Sequence, residues 1–227
     1  MKNTKKKILV VALIVSLAAI LSIGSLAWFT AKDEVTNTFK FATDEDGQVD
    51  FSIDLYEHKP DPNDQTKIDS GDMGLKDGAT YMKVLPGIAY FKDPTVKNTG
   101  DYDQWVRVKV TVNHANAWKV ACAKYSITDL STIFGGYVDA DWTRGEIILD
   151  TDGDTLTYVY YLNSKLVPDA TKTMFTSVTI PEQFTKEDVI GMESFTVTVK
   201  AEAIQADGTG DTPQAAFALL EPEEETD

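Results

Sequence analysis

The run WVRVKVTVN, residues 105–113, sets Val106, Val108, Val110 and Val112 between Arg107, Lys109, Thr111 and Asn113. Successive side chains of a strand point to opposite faces, so this alternation predicts an antiparallel strand with one buried and one solvated side. The same period recurs in VDFSIDLYE, where Phe51, Ile53 and Leu55 alternate with Ser52 and Asp54, and in ESFTVTVKAEAIQ, where Val197, Val199, Ala201 and Ala203 share a side. GEIILD, LTYVYYLN and TMFTSVTIP are rich in β-branched and aromatic residues and read as further strands. Turn signals separate the runs: Pro86-Gly87, Asn98-Thr99-Gly100, Asp152-Gly153-Asp154, Pro168-Asp169 and Asp207-Gly208. Many short strands with frequent turns predict an all-β chain, an antiparallel two-sheet β-sandwich or jelly roll with a few short helices in its connections. Residues 128–134, capped by Thr128 or Asp129, and residues 185–192, with Thr185 and Asp188 in capping-box spacing, are the expected short helices. Residues 61–81 read as a long polar surface loop, and LLEPEEETD as a solvated acidic end.

The amino terminus has a different character. Lys2, Lys5, Lys6 and Lys7 precede an apolar run that carries no charge until Lys32, and Ser25-Leu26-Ala27 offers the small residues a signal peptidase requires. This pattern predicts export with cleavage between Ala27 and Trp28; residues 8–26 are also near the length of a membrane span, so retention as an anchor is the competing reading. Cleavage removes four of the 21 basic residues and none of the 36 acidic ones, which takes the formal charge from −15 to −19. A surface of that sign repels phosphate backbones, so nucleic acid is not an expected partner. The remaining 200 residues suffice for one well-buried domain. A single cysteine, Cys122, excludes an internal disulfide framework, and its setting in AWKVACAKYS predicts a small buried apolar role.

Catalytic chemistry has little foundation in the sequence. The two histidines, His58 and His114, stand in no HExxH pattern, and Glu57 and His58 would point to opposite faces of a strand. No GxSxG and no phosphate-cradling glycine loop is present. Asp150-x-Asp152-Gly153-Asp154 has the start of a calcium loop, but Thr155 and Tyr161 stand where an EF-hand needs its glycine and its bidentate glutamate. A hairpin turn is the expected reading there, and the acidic group Asp44-Glu45-Asp46 reads as a solvated turn. No catalytic residue, cofactor or metal ligand is assigned.

The aromatics at the new amino terminus are the sharper feature. After cleavage the chain would begin with Trp28 and Phe29, followed by Val35, Asn37, Phe39 and Phe41 in alternation. Exposed on a monomer, such a segment is an aggregation hazard. It can pair as the first strand of its own sheet, or it can be donated to a neighbouring subunit, whose backbone and pockets would hold it. Donation is head to tail and propagates into a filament.

GSLAWFTAKDEVTNTFKFA, together with VLPGIAYFKDPTVKNTGDYDQWVRVKVTV, LTYVYYLNSKLVPDATKTMFTSVTIP and AEAIQADG, resembles the TasA and camelysin family of exported Gram-positive proteins, in both motif order and spacing. The resemblance implies a signal peptide over residues 1–27 that is cut by a SipW-type signal peptidase. It further implies an amino-terminal donor strand over residues 28–48, a jelly-roll domain over residues 49–206 and an acidic tail over residues 207–227. Function would then be that of a secreted structural subunit of a biofilm-matrix or cell-surface fibre, with copies of itself as the main partner and other matrix proteins as further ones. Trp28, Phe29, Val35, Phe39 and Phe41 would carry the assembly contact. The camelysin name also implies a surface metallopeptidase as the alternative, for which His58 and His114 would be the histidine candidates. A membrane-tethered domain that does not polymerise is the third reading.

Overall fold

The computed structural model describes residues 30–34, 37–39, 51–69, 78–192 and 194–220. Over these residues the chain is all-β, with its strands in three antiparallel sheets and only short helices between them. The strands are β1 (Thr30–Glu34), β2 (Asn37–Phe39), β3 (Ile53–Tyr56), β4 (Ala89–Phe91), β5 (Thr95–Asn98), β6 (Gln104–Asn113), β7 (Phe134–Gly135), β8 (Trp142–Asp150), β9 (Thr155–Leu162), β10 (Thr171–Thr173), β11 (Ser177–Thr179) and β12 (Val197–Gln205). The principal sheet has the order β2-β1-β12-β6-β9-β8, and two three-stranded sheets have the orders β10-β5-β3 and β4-β11-β7. Two sheets were expected; the second layer is divided because β3, β5 and β10 pair among themselves while β4, β7 and β11 form a separate ladder.

The valines of WVRVKVTVN are fully buried, as their period predicts. They pack with Tyr158, Tyr160 and Leu162 of β9 and Val199, Ala201 and Ala203 of β12 on one side of the principal sheet, against Phe51, Ile53 and Leu55 of the facing layer. Each such side chain contributes about 1.5–3 kcal/mol by leaving water. The opposite side of β6 is not simply solvated. Trp105 and Arg107 are buried there, because helix α3 (Pro213–Ala218) lies across the sheet and seats Ala216 and Phe217 against Trp105, Val159, Tyr161 and Ile204. The Arg107 guanidinium stacks 4.5 Å above the Phe217 ring. The folded body therefore extends past residue 206, into the stretch expected to be tail. Thr212, which accepts from the Ala215 amide, and Pro213 at the first turn start this helix.

The expected turns and caps are present. Asp152-Gly153-Asp154 closes the β8–β9 hairpin, and the Asp150 carboxylate accepts from the Asp152 and Gly153 amides. Asp129 caps a 3-10 turn, Leu130–Ile133. Thr185 and Asp188 form a capping box on helix α2 (Lys186–Ile190). Helix α1 (Ala115–Lys124) was not expected; it buries Ala115, Trp118, Ala121 and Cys122, with the Trp118 ring 5.2 Å from Phe195 and 5.8 Å from Phe184. Cys122 is buried and its thiol is pushed up by desolvation, in keeping with an inert packing role.

Asp188 ties α1 to α2. Its carboxylate accepts from the Thr185 amide, Lys124 Nζ and the Tyr125 hydroxyl, and these bonds hold it well below the usual aspartate range. A depressed carboxylate contributes stability above its unfolded value and loses it as pH falls toward the folded one. Asp188→Asn should accordingly melt below the wild type at neutral pH, with the gap closing as the pH drops through and below the ordinary aspartate range. A gap in melting temperature that stays constant from neutral to acid pH would show that the charge of Asp188 is not what joins the two helices.

Candidate assembly edge and its surroundings

β12 presents the edge on which the amino-terminal strand sits. Its neighbour on one side is β6, in register from Val197 opposite Val112 to Gln205 opposite Gln104. Glu202, nine-tenths buried, is fixed by Arg107 of β6 through Nε at 2.8 Å and an Nη at 2.6 Å, with Lys109 Nζ at 3.3 Å. On its other side β12 receives β1, with Thr30 opposite Ile204, Ala31 opposite Ala203, Lys32 opposite Glu202, Asp33 opposite Ala201 and Glu34 opposite Lys200. Lys32 thus stands in register with Glu202, and Glu34 with Lys200.

Slipping β1 by two residues, the smallest shift that keeps its faces, sets Lys32 opposite Lys200 in one direction and Glu34 opposite Glu202 in the other. Like charges directly opposite destabilise a ladder, so the order of charges in the sequence favours the observed register over either slip. β2 then turns back on β1, placing Asn37 opposite Glu34 and Phe39 opposite Lys32. Among the assembly residues expected from sequence, Phe39 thus ends the strand at the outer edge of the sheet. Trp28, Phe29, Val35 and Phe41, and Ala27 of the cleavage site, lie outside the described residues. Among the described residues no helix is long and apolar enough to cross a membrane; residues 8–26 are not among them.

Both histidines have carboxylate neighbours. His58 Nδ1 lies 2.6 Å from Asp93 Oδ2, and the His58 amide donates to the other carboxylate oxygen at 2.9 Å. His58 is half-buried there. Glu57 meets Lys92 Nζ at 2.5 Å, and both residues are buried. His114 begins α1 in the left-handed region, with Nδ1 4.0 Å from Asp154 Oδ2. No group of three or more His, Cys, Asp or Glu able to hold a metal occurs among the described residues.

A surface cavity of about 560 Å3 is lined by Asp129, Ser131, Tyr137, Trp142, Arg144 and Tyr160, among others. Asp129 and Arg144 pair across it. Burial acts to raise the Asp129 carboxyl, but its bonds from Arg144 and Ser131 outweigh that and hold it low. Burial pushes Tyr160 up and the adjacent Tyr158 up to about 12, so both phenols stay protonated at neutral pH. The cavity thus holds an Asp129–Arg144 ion pair beside protonated phenols. The sheet edge is the more informative site.

Comparison of the chain with protein-family models, with curated proteins and with solved structures gave no match.

Proposed function

We propose that the chain is an exported structural subunit of an extracellular protein fibre, on the cell surface or in a biofilm matrix. Its copies join head to tail when the amino-terminal segment of one enters the sheet of the next, freed for that role by a SipW-type signal peptidase cutting between Ala27 and Trp28. The observation that carries this reading is the edge pairing of β1 on β12, with Lys32 in register with Glu202 and Glu34 with Lys200. Main-chain pairing at a sheet edge is the same whether the strand comes from its own chain or a neighbour's, so the contact can be exchanged between copies with little change in contacts. Exchange along a chain of copies gives an open filament with no closed end. The motif resemblance of residues 24–42 and of the later strands supports the same reading and implies a jelly-roll subunit.

The test uses the chain begun at residue 43 together with a peptide of residues 28–42. The shortened chain should form no filaments and should bind the peptide. The same peptide carrying Lys32→Glu and Glu34→Lys should bind several-fold more weakly, since two attractive cross-strand pairs become repulsive. Filaments from the shortened chain alone would sink the proposal.

A further inference from the structure

The opposite end of the principal sheet carries a second edge that the amino-terminal strand does not use. Among the described residues β8 pairs with β9 only, and from Thr143 to Asp150 every residue is exposed. Ile147 lies opposite Tyr158 and Leu149 opposite Leu156, on the side of the sheet that faces the core, yet they are 51 % and 49 % exposed. Ile148, opposite Thr157 on the other side, is 45 % exposed. The facing layer stops short of β8, so the core-side apolar surface runs off the edge of the sheet unfinished. A register shift between Arg144 and Ile147 twists the strand and divides its ladder into Trp142–Arg144 and Ile147–Asp150. At the bulge, a side chain on Gly145 would come within 2.6 Å of the Tyr161 ring, so the irregularity is built into the packing.

An exposed apolar edge of this kind either finds a partner strand or aggregates. A second copy of the same edge is a poor partner. In an antiparallel two-fold pairing that keeps the faces matched, the register joining all three apolar residues sets Ile147 against Leu149 of the other copy. That register brings Glu146 against Asp150 at both ends, and the formal charge of −15 on each chain adds long-range repulsion. The same two carboxylates favour a strand with cations at those positions. We infer that the β8 edge docks an extended segment of a different protein, apolar at alternate positions and flanked by lysine or arginine, which continues the sheet past Ile147 and Leu149. This contact uses none of the residues of the amino-terminal edge and stands apart from the fibre reading.

The experiment titrates the purified, isotope-labelled chain with two acetylated and amidated peptides, Thr-Lys-Val-Thr-Val-Lys-Thr, whose lysines stand four residues apart as Glu146 and Asp150 do, and its counterpart with glutamate in place of both lysines, following the backbone amides of Ile147–Asp150. The lysine peptide should shift and protect these amides and bind at least tenfold tighter than the glutamate peptide. Glu146→Lys combined with Asp150→Asn, which retains an oxygen acceptor in the hairpin turn, should remove that preference. Equal binding of the two peptides, or no change at β8 with either, would overturn the inference. So would disulfide-linked dimers formed by Ile148→Cys alone, since Cys122 is buried and such dimers would put a second copy on the edge.

Discussion

With Phe39 and Phe41 both replaced by aspartate, the chain is expected to remain a folded monomer and to form no filaments. Phe39 ends β2 at the outer edge of the principal sheet, opposite Lys32 of β1, and Phe41 follows it at the same alternation. Seating a phenylalanine in a neighbour's pocket is worth about 1.5–3 kcal/mol. Losing two such contacts weakens association by roughly two to four powers of ten, before the cost of burying the introduced carboxylates. The core laid down by the valines of β6 does not depend on either residue, so circular dichroism and the melting transition should change little. Filaments of normal length from the doubly substituted chain would remove Phe39 and Phe41 from the assembly contact.

The largest loss of monomer stability is expected at Glu57. Its carboxylate and the Lys92 ammonium lie 2.5 Å apart, with the residues 3 % and 8 % exposed. Glu57→Leu leaves that ammonium without its carboxylate in a buried site, a change that typically costs about 3–5 kcal/mol. In a domain of this size the melting temperature should fall by roughly 6–20 °C. Glu57→Leu combined with Lys92→Met removes both charges and fills similar volume, so the double variant should recover most of the loss. A double variant as unstable as the single one would mean that shape, and not charge pairing, dominates the site.

The strand skeleton was legible because its signal is local. Alternation in residues 105–113 and 197–205, and the Asp-Gly turn after Asp150, require no knowledge of distant contacts. Helix α1 was also legible in principle, since Ala115, Trp118 and Cys122 stand at helical spacing, but the β-rich surroundings drew attention to Cys122 alone. Thr212-Pro213 announces helix α3, yet the acidic residues that follow made the whole end read as tail. The burial of Arg107 could not be seen from β6 itself, because it depends on Phe217, more than a hundred residues away. The same holds for the edge sites. Charge order in Lys32 and Glu34 acquires meaning only once β12 supplies Glu202 and Lys200, and GEIILD reads as an ordinary strand until the sheet order leaves it outermost.

The most direct measurement takes the protein from the cell surface or medium, determines its intact mass and amino-terminal sequence, and images the same sample by electron microscopy. A chain beginning at Trp28 and present in thin filaments is the predicted result. A full-length chain retained in the membrane fraction, with no filaments, would contradict the fibre subunit and make this a tethered surface domain.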